Sequence, residues 1–384
     1  MDKQGFGAKS TGILIPTIGN RKAFVPARLP PTLDLNTLAV PLAQASQAIG
    51  ELKGIGRSVP NPMLLIRPLQ RREAVSSSSM EGTYTTLSDL FLFEAGVSDA
   101  GRKEDNREVL NYVRALENAI QELQTLPISS RLLRNAHRLL LNHVARHRGA
   151  IIEAGELKRD QNWIGGSGRI ETARYIPPPP REAADALDDL AAYINREARD
   201  DMPPLVDAAL AHYQFEAIHP FGDGNGRVGR MMITLMLMEH QVLPQPLLYM
   251  SPYLERHKDT YIDLMFSVSQ NGDWISWVRF FLDAVRESAL GTIRVAERLQ
   301  DLQRKYRERF QTAQSSALVL RIIDLAFERP ARIVSDVADE LGITYQGASN
   351  NITKLVKAGV AKEIESYPKV IIFPEILEAL SLDE

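Results

Sequence analysis

The densest group of chemically active side chains in this chain lies in the run HPFGDGNGRVGR, from His219 to Arg230. It combines an imidazole, a carboxylate, an amide, two guanidinium groups and several glycines within twelve positions. The letters GNGRVG satisfy the dinucleotide-binding pattern GxGxxG, but that pattern requires a preceding strand, and a helix is predicted before this run. The Walker phosphate-binding pattern fails as well, because no Lys-Ser or Lys-Thr pair follows the glycines.

Physical chemistry still predicts a phosphate-binding loop here. Glycines let main-chain N–H groups converge on an anion, and the start of the following helix adds a favourable dipole. Arg227 and Arg230 lie three positions apart, so on a helix both would reach a triphosphate through charge-assisted hydrogen bonds. Asp223 offers the single carboxylate that completes a Mg²⁺ shell together with phosphate oxygens and water. His219, with an ordinary imidazole pKa of about 6.5, would accept a proton from an attacking hydroxyl near neutral pH.

Each of these residues also has a simpler interpretation. A His-Pro pair at a helix end is commonly a cap, an Asp-Gly-Asn-Gly string is commonly a turn, and arginines at a helix start are commonly solvated. However, the segment that follows, MMITLMLMEH, is apolar on every face and predicts a buried helix. A solvent-facing turn would not need these residues in front of a buried helix, so we favour the catalytic interpretation.

Composition restricts the remaining chemistry. The 384 residues favour two or three compact units, and the absence of cysteine excludes disulfides, thiol nucleophiles and thiolate metal sites. The formal net charge of -3 gives no overall field that would attract nucleic acid or an anionic membrane. The amino terminus has no apolar stretch of signal-peptide length, and the apolar run Met231 to Met238 is less than half of the roughly 20 residues that cross a bilayer. We therefore expect a cytoplasmic protein with no membrane contact.

Hydrophobic periodicity predicts a mainly helical chain with one interruption. Residues 1 to about 75 are rich in Pro and Gly, which predicts an irregular extension with one helix near Leu38 to Lys53. Apolar residues three and four apart predict helices between about Asn106 and Leu140, and another that starts at Pro203 and Pro204 and stops near Pro220. Between these helices, Asn162 to Pro180 has glycines between two β-prone stretches, which predicts a hairpin that ends at the proline run.

The last part of the chain predicts a connector and a separate unit. A charged helix spans roughly Asp283 to Phe310, and after it come helices at 318–327, 334–341 and 345–358 and two short strands around a turn at Ser366 to Lys369. Helix, helix, turn, helix, hairpin is the order of a winged helix. The predicted division is an N-terminal extension (1–105), a catalytic core (106–285), a connecting helix (286–311) and a winged-helix domain (312–384).

The run from His219 to Arg230 matches the pattern HxFx(D/E)GNGRxxR at every specified position, and the chain resembles the Fic family over roughly Glu73 to Val285. The resemblance implies an all-helical core with a β-hairpin flap, and an enzyme that moves AMP from ATP, bound with Mg²⁺, to a Tyr, Ser or Thr hydroxyl of a target protein. It implies that His219 is the general base and Asp223 the magnesium ligand. The ATP-binding residues that it implies in the loop are Gly224, Asn225 and Gly226 as an anion hole, Arg227 at the migrating charge, Arg230 at the γ-phosphate, and Val228 and Gly229 between them.

The predicted hairpin is similar in position to the family's flap, which pins the target segment by main-chain pairing as in strand addition. Without the family, an ordinary surface hairpin explains the same residues equally well. Tyr261 and Asn271 fall where such proteins contact the adenine or ribose, although the alignment there can slip by a residue. The flap residues implied for ATP binding are Asn162, Trp163, Ile164 and Gly165.

Upstream, the run from Ser77 through Glu81 to Gly82 matches the family's inhibitory pattern, S/T-x-x-x-E-G/N. A carboxylate beside Arg230 would form an ion pair and occupy the place of the γ-phosphate. By itself, the serine run Ser76 to Ser79 predicts a flexible linker, and local propensity argues against the helix that the family implies there. In related proteins this glutamate also takes part in removing AMP, so both directions of the reaction stay open.

A second class of function, a DNA-binding regulator, rests on the predicted winged helix. Its third helix offers polar side chains between Gln346 and Lys357 that would read base edges. Residues 311–384 contain 7 basic and 11 acidic side chains, a poor balance for neutralising phosphates, so a wing that docks to a protein or dimerises is at least an equal alternative. A kinase-like or phosphocholine-transferring relative would transfer a different group. The expected partners are ATP and target proteins, with self-modification and a homodimer also implied.

Overall fold

The computed structural model describes residues 6–7, 9–58, 61–97, 103–144, 153–199, 202–311, 317–366 and 368–381. Within these residues the chain is mainly helical with two small antiparallel sheets, which confirms the prediction of a mainly helical fold. The strands are β1 (Gly12–Pro16), β2 (Lys22–Pro26), β3 (Ala331–Ile333), β4 (Lys362–Ile364) and β5 (Val370–Ile372). The helices are α1 (Ala39–Ser58), α2 (Met63–Ser79), α3 (Leu87–Glu94), α4 (Lys103–Glu122), α5 (Ser130–Leu140), α6 (Pro180–Ile194), α7 (Pro204–Ile218), α8 (Asn225–Glu239), α9 (Ser251–Arg256), α10 (Lys258–Asn271), α11 (Trp274–Phe310), α12 (Ala317–Glu328), α13 (Val334–Leu341), α14 (Tyr345–Lys357) and α15 (Pro374–Ser381).

Most of the described residues among the first 80 lie in strands and helices, so the prediction of an irregular extension is wrong. Strands β1 and β2 pair as an antiparallel hairpin, with Gly12 opposite Pro26. Helix α1 packs along α11, and α2 packs against α4 and α9. Pro68 lies buried inside α2. The local cost of Pro and Gly is overridden here because burial of an apolar face supplies most of a helix's stability in a folded protein.

The serine run that predicts a flexible linker instead forms the last turn of α2. Ser77 and Ser78 have no exposed surface. The chain then turns tightly, because the N–H of Met80 donates to the carbonyl of Ser76 at 3.2 Å and the N–H of Gly82 donates to that of Ser79 at 2.9 Å. Gly82 has a φ of 86°, which glycine adopts without strain. Tertiary burial, which a local propensity does not contain, decides the structure of this segment.

Helices α7 and α8 form the centre of the core and carry the motif loop between them. Helix α7 starts at Pro204 and ends at Ile218, as the prolines predict. Every residue of α8 from Arg227 to Leu237 is buried, which confirms the predicted buried helix. Helices α2, α4 and α5 pack on α8, so side chains from the N-terminal half of the chain reach the start of this helix.

The flap, residues 162–176, is a loop with one antiparallel bridge between Ile164 and Tyr175. The predicted two-stranded hairpin is therefore too regular. Gly165, Gly166 and Gly168 all have positive φ and turn the chain directly after the bridge. A Cβ on Gly166 would lie 2.2 Å from the carbonyl oxygen of Thr172. The positive φ values take the chain out of the extended conformation of a strand, so no ladder continues beyond the bridge.

Helix α11 runs for 37 residues, so the predicted connector, Asp283 to Phe310, is the larger, C-terminal part of one long helix. The three strands that follow form one sheet in the order β3-β5-β4. Strand β3 and helix α15 are absent from the sequence prediction, because segments of three and eight residues give little periodicity. Arg67 of α2 pairs with Glu328 of α12 at 2.5 Å. The division into domains stays a prediction. Among the described residues, none of the helices has the length and apolar character that a membrane span requires.

Candidate active site

The motif loop joins α7 to α8 and is folded by its own asparagine. His219 ends α7 in the left-handed region with a φ of 48°, and Gly224 precedes α8 with a φ of 77°. The side-chain oxygen of Asn225 accepts the N–H of Phe221 at 2.8 Å, and its amide nitrogen donates to the carbonyl of Phe221 at 2.9 Å. Both ends of this amide are used within the loop, so Asn225 determines the shape of the predicted anion hole.

The imidazole of His219 lines a cavity. Its Nδ1 is buried and has no hydrogen-bond partner among the described residues. Burial and the nearby charge of Lys158 lower the pKa of His219 to about 4, whereas the sequence predicts an ordinary value. The difference arises because both the burial and the lysine come from the tertiary fold. The imidazole is therefore uncharged at neutral pH and can accept a proton, but it is a weaker base than predicted.

The two arginines of the motif have different partners. Arg227 has no exposed surface, and its guanidinium forms an ion pair with Glu108 of α4 and lies 3.9 Å from the carboxylate of Asp223. Arg230 is bound to the end of α2, where its Nε donates to the hydroxyl of Ser77 and its Nη2 donates to the carbonyl of Ser77, both at 2.8 Å. Of the two, only Arg230 lines the cavity.

Glu81 contacts the same guanidinium of Arg230. Its Oε1 lies 2.8 Å from Nη2 of Arg230. Burial by itself would raise the pKa of Glu81, but the charge and hydrogen bond of Arg230 outweigh burial and lower it. A Cβ on Gly226 would lie 2.2 Å from Oε1 of Glu81 and 2.8 Å from Nη1 of Arg230. The ion pair therefore requires a glycine at position 226.

A cavity of about 190 Å³ lies between this ion pair, the flap and α10. Its other walls include the apolar side chains of Ile262, Met265 and Phe266. The hydroxyl of Tyr261 donates to Nε2 of His212 at 2.7 Å, which orients the phenol in the wall. The predicted site residues that line this cavity are Glu81, Ile164, His219, Gly226, Arg230 and Tyr261.

Other predicted site residues lie away from this cavity. Asn271 is exposed at the end of α10, and Trp163 packs in a small apolar cluster between the flap and β2. Gly165 lies on the exposed tip of the flap. Val228 is buried in α8, and a Cβ on Gly229 would lie 2.3 Å from Oε1 of Glu216, so these two residues serve helix packing.

The sequence profile of the Fic/DOC family N-terminal region matches residues 40–121, and that of the Fic/DOC family matches residues 127–237. Together these matches span about half of the chain.

The chain belongs to the Fic/DOC family.

Its curated relatives include the protein adenylyltransferases Fic of Drosophila virilis and Drosophila melanogaster, each 29% identical over 215 residues, or 55% of this chain. The aligned region is 40% of each relative, so the chain spans well under half the length of the curated relatives that it matches. A Fic family protein from Desulfovibrio desulfuricans is 20% identical, with a TM-score of 0.57, over 90% of this chain and 98% of that chain. Fic-1 from C. elegans is 20% identical, with a TM-score of 0.51, over 67% of this chain and 73% of that chain. These structures share the fold.

His137 of α5 supports the Fic loop but lies outside its motif. Its Nδ1 accepts the N–H of Gly155 at 2.9 Å, so Nε2 carries the proton and donates to the carbonyl of Asp223 at 3.0 Å. Its ring stacks on Phe221 with centroids 4.0 Å apart. Burial lowers the pKa of His137 to about 4, which keeps this tautomer neutral. A polar residue on the apolar face of a predicted helix is the sequence signal that would have identified it.

Lys158 and Glu216 were also missed by sequence reasoning. Lys158 is 7% exposed, and its ammonium donates to the side-chain oxygen of Asn162 at 2.7 Å. Asn162 in turn donates to the carbonyls of His219 and Phe221, so its amide faces the Fic loop and does not line the cavity. Glu216 does line the cavity, and burial raises its pKa to about 8. No local pattern in the sequence distinguishes either residue.

Proposed function

We propose that this chain transfers AMP from ATP to hydroxyl groups of target proteins, and that Glu81 inhibits the transfer by pairing with Arg230. One observation carries the proposal. A neutral imidazole at His219 and a guanidinium at Arg230 line the same cavity at the start of a buried helix. The names of the curated relatives, protein adenylyltransferase Fic, agree with this reaction.

In the proposed reaction, the triphosphate binds at the start of α8. The first turn of an α-helix leaves main-chain N–H groups without intrahelical partners, and near Gly226 no Cβ shields them. Arg230 would bind the γ-phosphate once Glu81 has left. His219 would take the proton of the target hydroxyl as its oxygen attacks the α-phosphorus. The new P–O bond forms as the bond to the β-phosphate breaks, and pyrophosphate leaves.

Asp223 fits the role of a Mg²⁺ ligand. Its side chain is 22% exposed, and one oxygen is held by the N–H of Gly224 at 2.7 Å. Mg²⁺ bound at Asp223 would take its other ligands from phosphate oxygens and water, as this ion commonly does in nucleotide sites. Bound there, Mg²⁺ would neutralise charge on the phosphates. Arg227 lies beside Asp223. It would therefore contribute to phosphate binding through its positive charge and by maintaining the shape of the loop.

The experiment compares incorporation of α-labelled and γ-labelled ATP into the chain itself and into proteins of a lysate. The chains compared are the native chain, Glu81→Gly, Glu81→Gln and the double variant Glu81→Gly with His219→Ala. We expect Mg²⁺-dependent incorporation of the α label only, increased by either change at Glu81 and lost in the double variant. Incorporation of the γ label, or equal α labelling in all four chains, would overturn the proposal.

Several finer predictions accompany this function. The exposed flap would bind the target segment by main-chain pairing, and Glu81 would also support removal of AMP by orienting a water molecule. The C-terminal unit would act as a winged helix for protein docking, because its acidic balance and the adenylyltransferase relatives do not favour DNA regulation. Self-modification, a homodimer and a cytoplasmic location stay predictions.

A further inference from the structure

Four successive carbonyls, from Ile218 at the end of α7 to Phe221 in the motif loop, accept hydrogen bonds from two residues, Lys158 and Asn162. The ammonium of Lys158 donates to the carbonyl of Ile218 at 3.4 Å, and its main-chain N–H donates to that of Pro220 at 2.9 Å. The amide of Asn162 donates to the carbonyls of His219 at 3.2 Å and Phe221 at 3.0 Å. We call Lys158 and Asn162 together the carbonyl clamp.

The clamp acts where the backbone most needs support. The last carbonyls of an α-helix have no intrahelical partner, and those at the end of α7 are buried below the loop. His219 adopts φ 48° and ψ 59°, a left-handed conformation that is uncommon for a residue with a Cβ. Such a conformation persists only where the surrounding structure holds it. Hydrogen bonds to the carbonyls before, at and after His219 provide that support.

Lys158 determines which way the amide of Asn162 faces. An asparagine side chain has one accepting and one donating end. Because the ammonium of Lys158 donates to the oxygen at 2.7 Å, the nitrogen is directed at the two carbonyls of the loop. Without that ammonium, the oxygen of the amide loses its donor and the side chain is held by its two bonds to the carbonyls alone. Lys158 therefore stabilises the orientation of Asn162.

The charge of Lys158 also acts on the imidazole. The charged groups that face His219 are Lys158 from the segment before the flap, Glu81 from the turn after α2, and Asp223 from the loop itself. The two carboxylates and the main-chain carbonyl of Glu216 favour protonation of His219, whereas burial and Lys158 oppose it. Lys158 is thus the positive group that offsets the two carboxylates.

We propose that Lys158 is a positioning residue for the candidate general base: through its bond to the carbonyl of Ile218 and through Asn162 it holds His219 at the cavity. This inference rests on the proposed function and adds a residue outside the motif to it. Lys158 acts through other groups and does not contact the reacting atoms.

The test uses the full chain carrying Glu81→Gly and compares Lys158→Met, Lys158→Arg and Arg159→Met. Arg159 is the matched control, because it is the next residue, its side chain is 73% exposed and it pairs only on the surface with Glu153. We expect Lys158→Met to lower kcat by at least about tenfold with KM for ATP within about twofold, since misplacement of a catalytic group affects the chemical step. Lys158→Arg should recover most of this loss, and Arg159→Met should match the parent.

A pH profile separates positioning from a purely structural role. Loss of the positive charge in Lys158→Met should raise the pKa of His219 and move the acidic limb of the kcat profile to higher pH, while Lys158→Arg should leave the limb in place. Asn162→Ala should lower kcat like Lys158→Met, and the double variant should be no worse than either single one. Equal kcat and equal profiles in Lys158→Met and Arg159→Met would overturn the inference.

A second readout keeps this inference separable from the proposed function. NMR titration of the His219 ring in chains labelled at histidine measures its protonation without any catalysis, with His219→Ala providing the assignment. We expect the His219 titration to move to higher pH in Lys158→Met but not in Arg159→Met. An unmoved titration overturns the inference even in an active enzyme, and a moved titration supports it even if no AMP transfer is found. Circular dichroism of each variant establishes that the chain is folded.

Discussion

The motif loop and the turn that carries Glu81 meet at Arg230, but different kinds of contact hold them. The loop is fixed from inside by Asn225, from α5 by His137 and from the flap by Asn162, and most of these contacts are to main-chain carbonyls. The Glu81 turn (residues 80–82) follows a buried helix end, but the side chain of Glu81 is 26% exposed and lines the cavity. The loop is therefore built to stay in place, whereas the carboxylate is placed where a ligand can replace it.

Two contacts of the Glu81 turn lie at the cavity, which Met80, Glu81 and Lys258 help to line. Glu81 binds Arg230, and the ammonium of Lys258 donates to the carbonyl of Met80 at 2.5 Å. A hydrogen bond to a charged group contributes about 1.5–3 kcal/mol, so a nucleotide that binds Arg230 more strongly by that amount would displace the carboxylate. Under the proposed function, the site would be preorganised for catalysis and inhibited at the same time.

The largest expected effect on AMP incorporation comes from removal of the candidate base, His219, from the motif loop. In a chain carrying Glu81→Gly, the further change His219→Ala should lower AMP incorporation by about 10²–10⁴-fold, the usual contribution of a positioned base. Binding of a fluorescent ATP analogue should be unchanged, because other residues hold the loop. The exposed His143 provides the control, since His143→Ala should keep the parent rate. Retention of most activity without His219 would show that this loop does not supply the base.

Removal of the carboxylate from the Glu81 turn should have the next largest effect. Glu81→Gly and Glu81→Gln should each raise AMP incorporation by roughly 10–100-fold, which corresponds to loss of one charge-assisted hydrogen bond. The measurement is the initial rate with α-labelled ATP at saturating Mg²⁺. If Glu81→Gly raises AMP incorporation and Glu81→Gln does not, the volume of the Glu81 side chain and not its charge inhibits the transfer.

Lys258 should have a smaller effect of the same sign. Lys258→Met removes one hydrogen bond from the Glu81 turn, so we expect a rise in AMP incorporation of about fivefold, equivalent to about 1 kcal/mol. In the Glu81→Gly background the same change should give no further rise, because the turn no longer inhibits. An additional rise in that background would place Lys258 in substrate binding and would separate it from the turn.

The smallest expected effect is on the pH dependence of the free energy of unfolding, and it arises from Lys158, which supports the motif loop. Burial lowers the pKa of Lys158 in the folded chain to about 7, below the pKa of the same side chain in the unfolded state. Above pH 7 the unfolded state therefore binds more protons, and the contribution of Lys158 to stability increases as the pH rises. From pH 7 to pH 8, the free energy of unfolding of the native chain should rise by roughly 1 kcal/mol relative to that of Lys158→Met.

Urea unfolding at both pH values measures this difference. Comparison with Lys158→Met is essential because Glu216, whose burial raises its pKa to about 8, contributes with the opposite sign over the same range. Glu216→Gln is the matched variant for that opposing contribution. Parallel pH dependence of the native chain and Lys158→Met would mean that the ammonium is not desolvated.

The motif loop could be predicted from the sequence because its candidate functional residues lie close together in the chain. His219, Gly226 and Arg230 lie within twelve positions, and the apolar composition of the segment that follows predicts a buried helix. The Glu81 turn could be recognised by its pattern, but not by propensity, because burial of Ser77 and Ser78 against the core makes a helix of a serine run. Contacts that depend on the tertiary fold leave no local signal.

The same limit explains the errors within the site. Asn162 is 57 residues from His219 in sequence and binds its main chain, so no side-chain pattern relates the two. The lowered pKa of His219 arises from burial and from Lys158, neither of which its neighbours in sequence reveal. Likewise, Arg227 and Arg230 share a helical spacing, but Glu108 and Glu81 come from different parts of the chain and give them different partners.

The glycine beneath the carboxylate has an evolutionary consequence. A Cβ at position 226 would lie 2.2 Å from Oε1 of Glu81, in the space over the helix start where a phosphate is proposed to bind. A larger residue there would exclude inhibitor and nucleotide together, so no substitution of Gly226 can yield a permanently active descendant. Loss of regulation during divergence would instead have to arise in residues 80–82, in the helix that presents them or in Lys258, which binds this turn.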